Sequence, residues 1–167
     1  MNRMFPVVLT ALLLGLLGCG RSEPPAAPPE VDQTRVWREK YFGPQAVAAK
    51  DIAWRPSGLG IRILKPGEGA APQLTDRVRV HYTGRLKDGM VFEDTRAKGK
   101  PADFYVNQLI TGWAAAMPSL RPGGRAEFFI PPSLGYGGIR AGNIPAFSGL
   151  IFDVELIAVN PPEAAKP

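Results

Sequence analysis

The sequence predicts an α+β fold in which one antiparallel β-sheet wraps on a single short α-helix. Three observations predict it. Apolar and polar residues alternate at 60–64, 77–83 and 150–159, and that period of two sends the apolar side chains to one face of a strand. Only one stretch of the central chain, 109–117, reads as leading into a helix, and Pro118 ends or bends it. Gly 19 and Pro 18 in 167 residues favour turns and short strands over long helices. An antiparallel sheet laid on one helix buries one face of each.

Taken in order, the chain opens with Arg3 and an apolar run at 7–17, too short for a comfortable membrane span and laid out like a secretory signal. The run ends Leu16-Leu17-Gly18-Cys19, which resembles a bacterial lipoprotein signal with cleavage before Cys19 and lipidation of that residue. Residues 1–18 are then a signal peptide; an ordinary signal peptide or a short membrane anchor are the alternatives. Acyl chains on Cys19 would tether the protein to a membrane. The absence of Asp after Cys19 points to the outer membrane, facing the periplasm, if the host has two membranes. Residues 21–30, RSEPPAAPPE, form an extended, semi-rigid spacer. Val36, Trp37, Tyr41 and Phe42 have helical spacing, Gly43-Pro44 breaks it, and a second short helix starts at Pro44. This arm, within 19–54, reads as helix packed on the domain, because short amphipathic pieces need tertiary support. A partner-binding or dimerising arm is the alternative, and the oligomeric state stays open.

The folded domain is placed at 55–160, with 161–167 as a tail. Strand 60–64 is followed by the turn Lys65–Gly69. The domain is organised around 77–96, RVRVHYTGRLKDGMVFEDTR. Val78, Val80 and Tyr82 share one strand face, Asp88-Gly89 signals a tight turn, and Met90, Val91 and Phe92 resume the apolar run. Tyr82 and Phe92 are expected to face one cavity, with Glu93 and Asp94 just past the second arm. Residues 97–100 form a polar flap. Strands follow at 104–106, 125–130 and 150–159, a short helix at 114–117, and a Gly-rich loop at 133–147.

Composition excludes several chemistries. One Cys and one His rule out a metal cluster or a disulfide framework, so neither metal nor cofactor is expected. The net charge of +5, about +4 once Arg3 leaves with the leader, comes from bases interspersed with acids, without a basic run for nucleic acid. No Ser-centred nucleophile elbow accompanies His81, which reads as a hydrogen-bonded structural histidine, and Gly67-Glu68-Gly69 is too short for a phosphate loop. Phe104 and Phe152, taken singly, read as core aromatics. Trp113 and Tyr136 sit beside glycines and read as site residues.

His81-Tyr82-Thr83-Gly84, Asp88-Gly89, Val91-Phe92, Leu109-Ile110-Thr111-Gly112-Trp113, Tyr136-Gly137 and Phe152-Asp153-Val154-Glu155-Leu156 occur in that order. Together they resemble the FKBP family of peptidyl-prolyl cis–trans isomerases over about 57–159. The resemblance implies a half-open antiparallel sheet curled around one short helix. It implies acceleration of Xaa-Pro rotation in proline-containing exported polypeptides, and it raises macrolides as inhibitors. It places the prolyl ring on Trp113, walled by Tyr82, Phe92, Leu109, Ile110 and Phe152, with Phe104 at the pocket base and Ile144 near the rim. The Ile110 N–H and the Tyr136 hydroxyl would hold substrate carbonyls. The chain departs from the family pattern in having Glu93 for the usual Asp, which Asp94 could replace. It also has Ala102 where some members carry an aromatic, Ile144-Pro145-Ala146 for Ile-Pro-Pro, and Pro118 in the helix. These departures bear on turnover and inhibitor affinity. Two rival readings are a non-catalytic proline-binding module or chaperone using the same pocket, and a structural envelope lipoprotein acting through its arm.

Overall fold

The computed structural model describes residues Asp32–Pro162; the expected signal peptide at 1–18, Cys19, the expected spacer at 21–30 and the residues beyond Pro162 lie outside them. Helix α1 (Gln33–Phe42) begins at Asp32, whose Oδ1 accepts the Thr34 and Arg35 N–H groups at 3.0 and 3.2 Å, an ordinary N-cap. Gly43 ends it and Pro44 opens α2 (Pro44–Ala48). Seven strands follow: β1 (Ala53–Trp54), β2 (Gly60–Lys65), β3 (Arg77–Arg85), β4 (Val91–Asp94), β5 (Ala102–Tyr105), β6 (Arg125–Ile130) and β7 (Leu150–Val159). Helix α3 (Thr111–Ala116) lies between β5 and β6.

The strands form one open sheet in the order β1-β2-β6-β7-β3-β4, with β5 also pairing β3. Every pairing is antiparallel. Strand β3 is central to the site because β7 lies on one side of it, while β4 and β5 divide the other side between residues 83–85 and 77–80. On one face Val78, Val80, Ala126, Phe128, Val154 and Leu156 pack with Trp113, Ala116 and Met117 of the helix. This is the expected sheet-on-helix core.

The opposite face is apolar at one end. Phe129 and Ile151 point away from α3 and pack with Phe42, Ala46 and Ile52. Phe42 lies 5.7 Å from Phe129 and 5.5 Å from Trp54, ring to ring. Helices α1 and α2 therefore cover the back of the sheet, as the packed-arm reading expects. Strand β1 pairs with β2 ahead of Arg55. The rest of the back face carries ion pairs. Arg62 forks onto Asp51 at 2.8 and 2.8 Å, and Arg125 onto Asp153 at 2.7 and 2.6 Å. Glu127 joins Arg62 and Arg85 at 3.2 and 2.9 Å. The pairs to Asp51 and Asp153 are exposed and contribute about 0.2–1 kcal/mol each, while the Glu127 carboxylate between two arginines is partly buried.

Two local expectations are corrected, the start of the short helix and the strand reading of Val106, while Pro118 acts as expected. The helix starts at Thr111, three residues before 114, because the Ile110 carbonyl accepts the Trp113 and Ala114 N–H groups at 2.9 and 3.1 Å. Pro118 tightens its end into a 3₁₀ turn, Met117–Ser119, as expected of a residue without an N–H. Val106 leaves the strand: its N–H donates to the Asp76 carbonyl at 3.0 Å, and the chain turns through 3₁₀ residues Val106–Gln108.

Candidate active site

The site is built on the hairpin β3–β4. Gly89, at φ 88°, makes the turn, and the Asp88 carboxylate accepts the Met90 N–H at 3.0 Å. The return strand brings Phe92 over Gly84. A Cβ on Gly84 would lie 2.4 Å from one Phe92 ring atom and 2.9 Å from Phe152, so only glycine lets the two rings meet there. Phe92 then meets Phe152 edge to face at 5.6 Å. Trp113, 3% exposed, is the hub. Its ring meets Tyr82 and Phe152 at 5.3 Å each, Phe104 at 6.4 Å and Phe128 at 5.9 Å, all near perpendicular. Such edge-to-face pairs add about 0.5–1.5 kcal/mol beyond their area and fix the ring planes.

Two adjoining hollows open over these rings. One, about 340 Å³, is lined by Tyr82, Phe104, Gln108, Leu109, Ile110, Trp113, Tyr136 and Phe152. The other, about 390 Å³, is bounded by Phe92, Glu93, Ile144 and residues 141–143. Tyr82, Tyr136 and Phe152 border both, so the two form one groove. The structure thus brings together all ten site residues expected from the folded domain. Cys19 lies outside the described residues. Sequence reading missed Gln108, Ala141, Gly142 and Asn143. The isolated bridge Ala141–Ile144 folds the last three residues into the wall, a loop pairing that no periodicity announces.

Ile144 corrects an expectation: at 5% exposure it is a buried wall residue and not a rim residue. Asp94 does not stand in for the family carboxylate. It caps the turn after β4, accepting the Arg96 and Ala97 N–H groups at 2.8 and 3.0 Å. The Ala97 N–H above all holds its carboxyl below the usual carboxylate range. Glu93 borders the groove, with its carboxylate engaged by Lys98. His81 is structural, as expected. Its Nδ1 lies 3.0 Å from the hydroxyl of Thr95, a buried residue whose Oγ1 also accepts the Tyr82 N–H at 2.8 Å. The Thr95 N–H donates back to the Tyr82 carbonyl at 3.0 Å. This latch ties the flap after β4 to the strand residue that walls the groove.

Burial dominates the electrostatics at Tyr82. Burial, then Glu93 and then Tyr136, push the Tyr82 phenol up to about 12, so it stays neutral at every physiological pH. The Ile110 N–H meets no acceptor among the described residues and lies at the groove wall. An aromatic floor beneath an unpaired backbone donor and a phenol suits a compact apolar ring flanked by amide carbonyls. Among the described residues lining the groove there is no Ser, Cys or His. A larger hollow of about 600 Å³, beside Trp37, Arg38 and Trp54, belongs to the α1 side and shares none of these residues.

Comparison with known proteins agrees with this geometry. The sequence model of the family described as FKBP-type peptidyl-prolyl cis-trans isomerase matches residues 68–157. The FKBP-type 22 kDa peptidyl-prolyl cis-trans isomerase of Escherichia coli (strain K12) is 39% identical over 171 residues, covering 89% of this chain and 82% of the relative. The FKBP-type peptidyl-prolyl cis-trans isomerase FkpA of Aeromonas hydrophila is 46% identical over 126 residues, 75% of this chain and 47% of the relative. The macrophage infectivity potentiator of Trypanosoma cruzi is 44% identical over 122 residues, 72% and 62%. Apart from the 22 kDa protein, the chain spans about half to three-fifths of the length of these relatives. The crystal structure of FkpA from Escherichia coli superposes with a TM-score of 0.69 at 34% identity, covering 77% of this chain and 58% of that one. A peptidyl-prolyl cis-trans isomerase structure from Pseudomonas syringae gives 0.65 at 31% identity, covering 77% and 91%.

Proposed function

This chain belongs to the FKBP-type peptidyl-prolyl cis–trans isomerases, and from that premise we propose that it accelerates Xaa-Pro rotation in exported polypeptides while a lipid on Cys19 holds it at the cell envelope. The observation that carries the catalytic part is the groove itself: a Trp113 floor, aromatic walls, and the free Ile110 N–H beside the Tyr136 phenol. Rotation about Xaa-Pro faces a barrier of roughly 18–20 kcal/mol from amide resonance. No bond is made or broken. A planar amide is more polar than a twisted one, so an apolar groove stabilises the twisted form relative to the planar form. Hydrogen bonds from Ile110 and Tyr136 to the flanking carbonyls hold the ends of the segment as its middle turns. The prolyl ring sits on Trp113 between Tyr82 and Phe152, Phe92 and Ile144 wall the neighbouring lobe, and Phe104 and Leu109 close the base.

The envelope part rests on residues 3–19, with the only Cys of the chain at the lipidation position and a proline-rich spacer after it. That placement would keep the domain at the membrane surface, where exported chains fold; an outer-membrane, periplasm-facing location is part of the proposal. Macrolide inhibitors would occupy the same groove.

The test follows the cis-to-trans rate of a short Xaa-Pro peptide with a soluble form comprising residues 20–167, beside Tyr136→Phe and Trp113→Ala. Acceleration that both variants reduce supports the reading. A buffer rate from folded protein refutes it in favour of a proline-binding module. For the anchor, radiolabelled palmitate should enter the full chain and not Cys19→Ser, and the variant should leave the membrane fraction. Incorporation into both would exclude Cys19 as the site.

A further inference from the structure

Among the described residues, Phe147 and Asn160 are the two non-glycine residues with positive φ, at 57° and 49°. Asn tolerates that region through its short polar side chain, and Asn160 hydrogen-bonds Arg77 and Asp76. A phenylalanine there crowds its Cβ against the backbone and persists only where the surroundings impose it. Core burial is not what imposes it, since Phe147 is 68% exposed. What it does make is a clamp. Its N–H donates to the Gly137 carbonyl at 2.7 Å. Its ring lies over Gly138, within 3.0 Å of where a Cβ on that residue would stand.

The position of this clamp matters because Tyr136 precedes the clamped pair directly. Gly137 and Gly138 have the widest conformational freedom in the chain's repertoire, and Tyr136 itself is half-exposed. Its side chain is therefore aimed mainly by its backbone. The segment bearing Phe147 is braced from behind. Ser148 Oγ donates to the Pro145 carbonyl at 2.8 Å, and Gly149 packs so tightly on Tyr41 of α1 that a Cβ would lie 2.5 Å from the Tyr41 carbonyl oxygen. The arm thus supports 147–149, and 147 holds 137–138.

We propose that Phe147 is a positioning residue for Tyr136, holding the phenol over the groove through the Gly137–Gly138 backbone. The proposal rests on the reading of Tyr136 as a carbonyl-holding group. It is tested by comparing wild type, Phe147→Asn, Phe147→Tyr, Tyr136→Phe and the double variant Tyr136→Phe/Phe147→Asn in the peptide isomerisation assay, with thermal melts of each. Phe147→Asn keeps the N–H, relieves the strain and removes the ring. Its melting temperature should hold or rise while kcat/KM falls about five- to tenfold, chiefly in kcat, and Phe147→Tyr should restore the rate. In the Tyr136→Phe background the Asn replacement should cost no further rate, because contacts acting through one group are non-additive. Full activity of Phe147→Asn overturns the proposal. So does an equal fold-loss in both backgrounds, which would make Phe147 a substrate contact in its own right. A Tyr136→Phe variant with wild-type rate refutes the role of Tyr136 separately, and a loss in Phe147→Asn beside it overturns the route through Tyr136. If Phe147→Asn melts lower than wild type, Phe147→Gly, which accepts φ 57° freely, decides by the same rate criteria.

Discussion

Gly84→Ala tests whether the two lobes of the groove depend on one close approach. The added methyl would sit 2.4 and 2.6 Å from two Phe92 ring atoms and 2.9 Å from Phe152, where ordinary contact begins at 3.4 Å. Phe92 must therefore retreat by about an ångström, and its way out is into the hollow it walls, since Phe152 blocks the other side. Overpacking of this size costs about 1–3 kcal/mol, and the better strand propensity of Ala returns roughly 0.5–1 kcal/mol. A net loss of about 1 kcal/mol lowers Tm by roughly 3–6 °C in a body of this size. The effect on rate should be larger than the effect on stability, because a misplacement of about 1 Å in a positioning surface can cost on the order of 10²-fold. Thermal melts and the peptide isomerisation assay should show a small fall in Tm with at least a tenfold fall in kcat/KM. Wild-type turnover with an unchanged Tm would refute the argument that the Phe92–Phe152 contact over Gly84 shapes the groove.

Other outcomes follow from the same geometry. Thr95→Val leaves the Tyr82 N–H without its hydroxyl partner and should cost about 1–3 kcal/mol by denaturant unfolding, with Thr95→Ser restoring most of it; a neutral Val variant would show the latch is dispensable. Glu93→Asp withdraws the carboxylate from Lys98 toward the wall and should raise kcat/KM two- to threefold, whereas no change would favour a pocket that only binds. Phe129→Ala empties the α1 side of the sheet and should cost about 3 kcal/mol; a loss under 1 kcal/mol would mean the arm hardly contributes to stability. The raised Tyr82 pKa carries a sign: below pH 10 the phenol is protonated in both states, and from 10 to about 12 only the unfolded chain ionises. Stability should fall more steeply in that window than in Tyr82→Phe.

Much of the site was legible because it rests on local chemistry. Alternation at 77–83 put Tyr82 on the core side with Val78 and Val80. Asp88-Gly89 announced the turn that returns Phe92, and the ordered short motifs identified the family and with it Trp113, Ile110 and Tyr136. The back of the sheet was less legible, although a signal was present. Phe128-Phe129 and Ile151-Phe152 break alternation, which means that both faces are buried there, and only the packed arm shows what covers the second. Asp94 and Glu93 are neighbours of like charge, and nothing in their order says which one a turn will claim.

By itself, then, the sequence determined the elements whose signals lie within a few residues: strand periodicity, the hairpin turn, the Gly43-Pro44 break in the arm, and the family pattern. Tertiary structure alone decided which face of the sheet the arm covers, the burial of Ile144, and the left-handed Phe147. Each of these depends on a partner far along the chain or on a loop closing upon itself. Alternation and turn propensity describe a residue's own backbone and immediate neighbours. They carry no information about which distant group will meet it, and in this protein those distant meetings shape the groove.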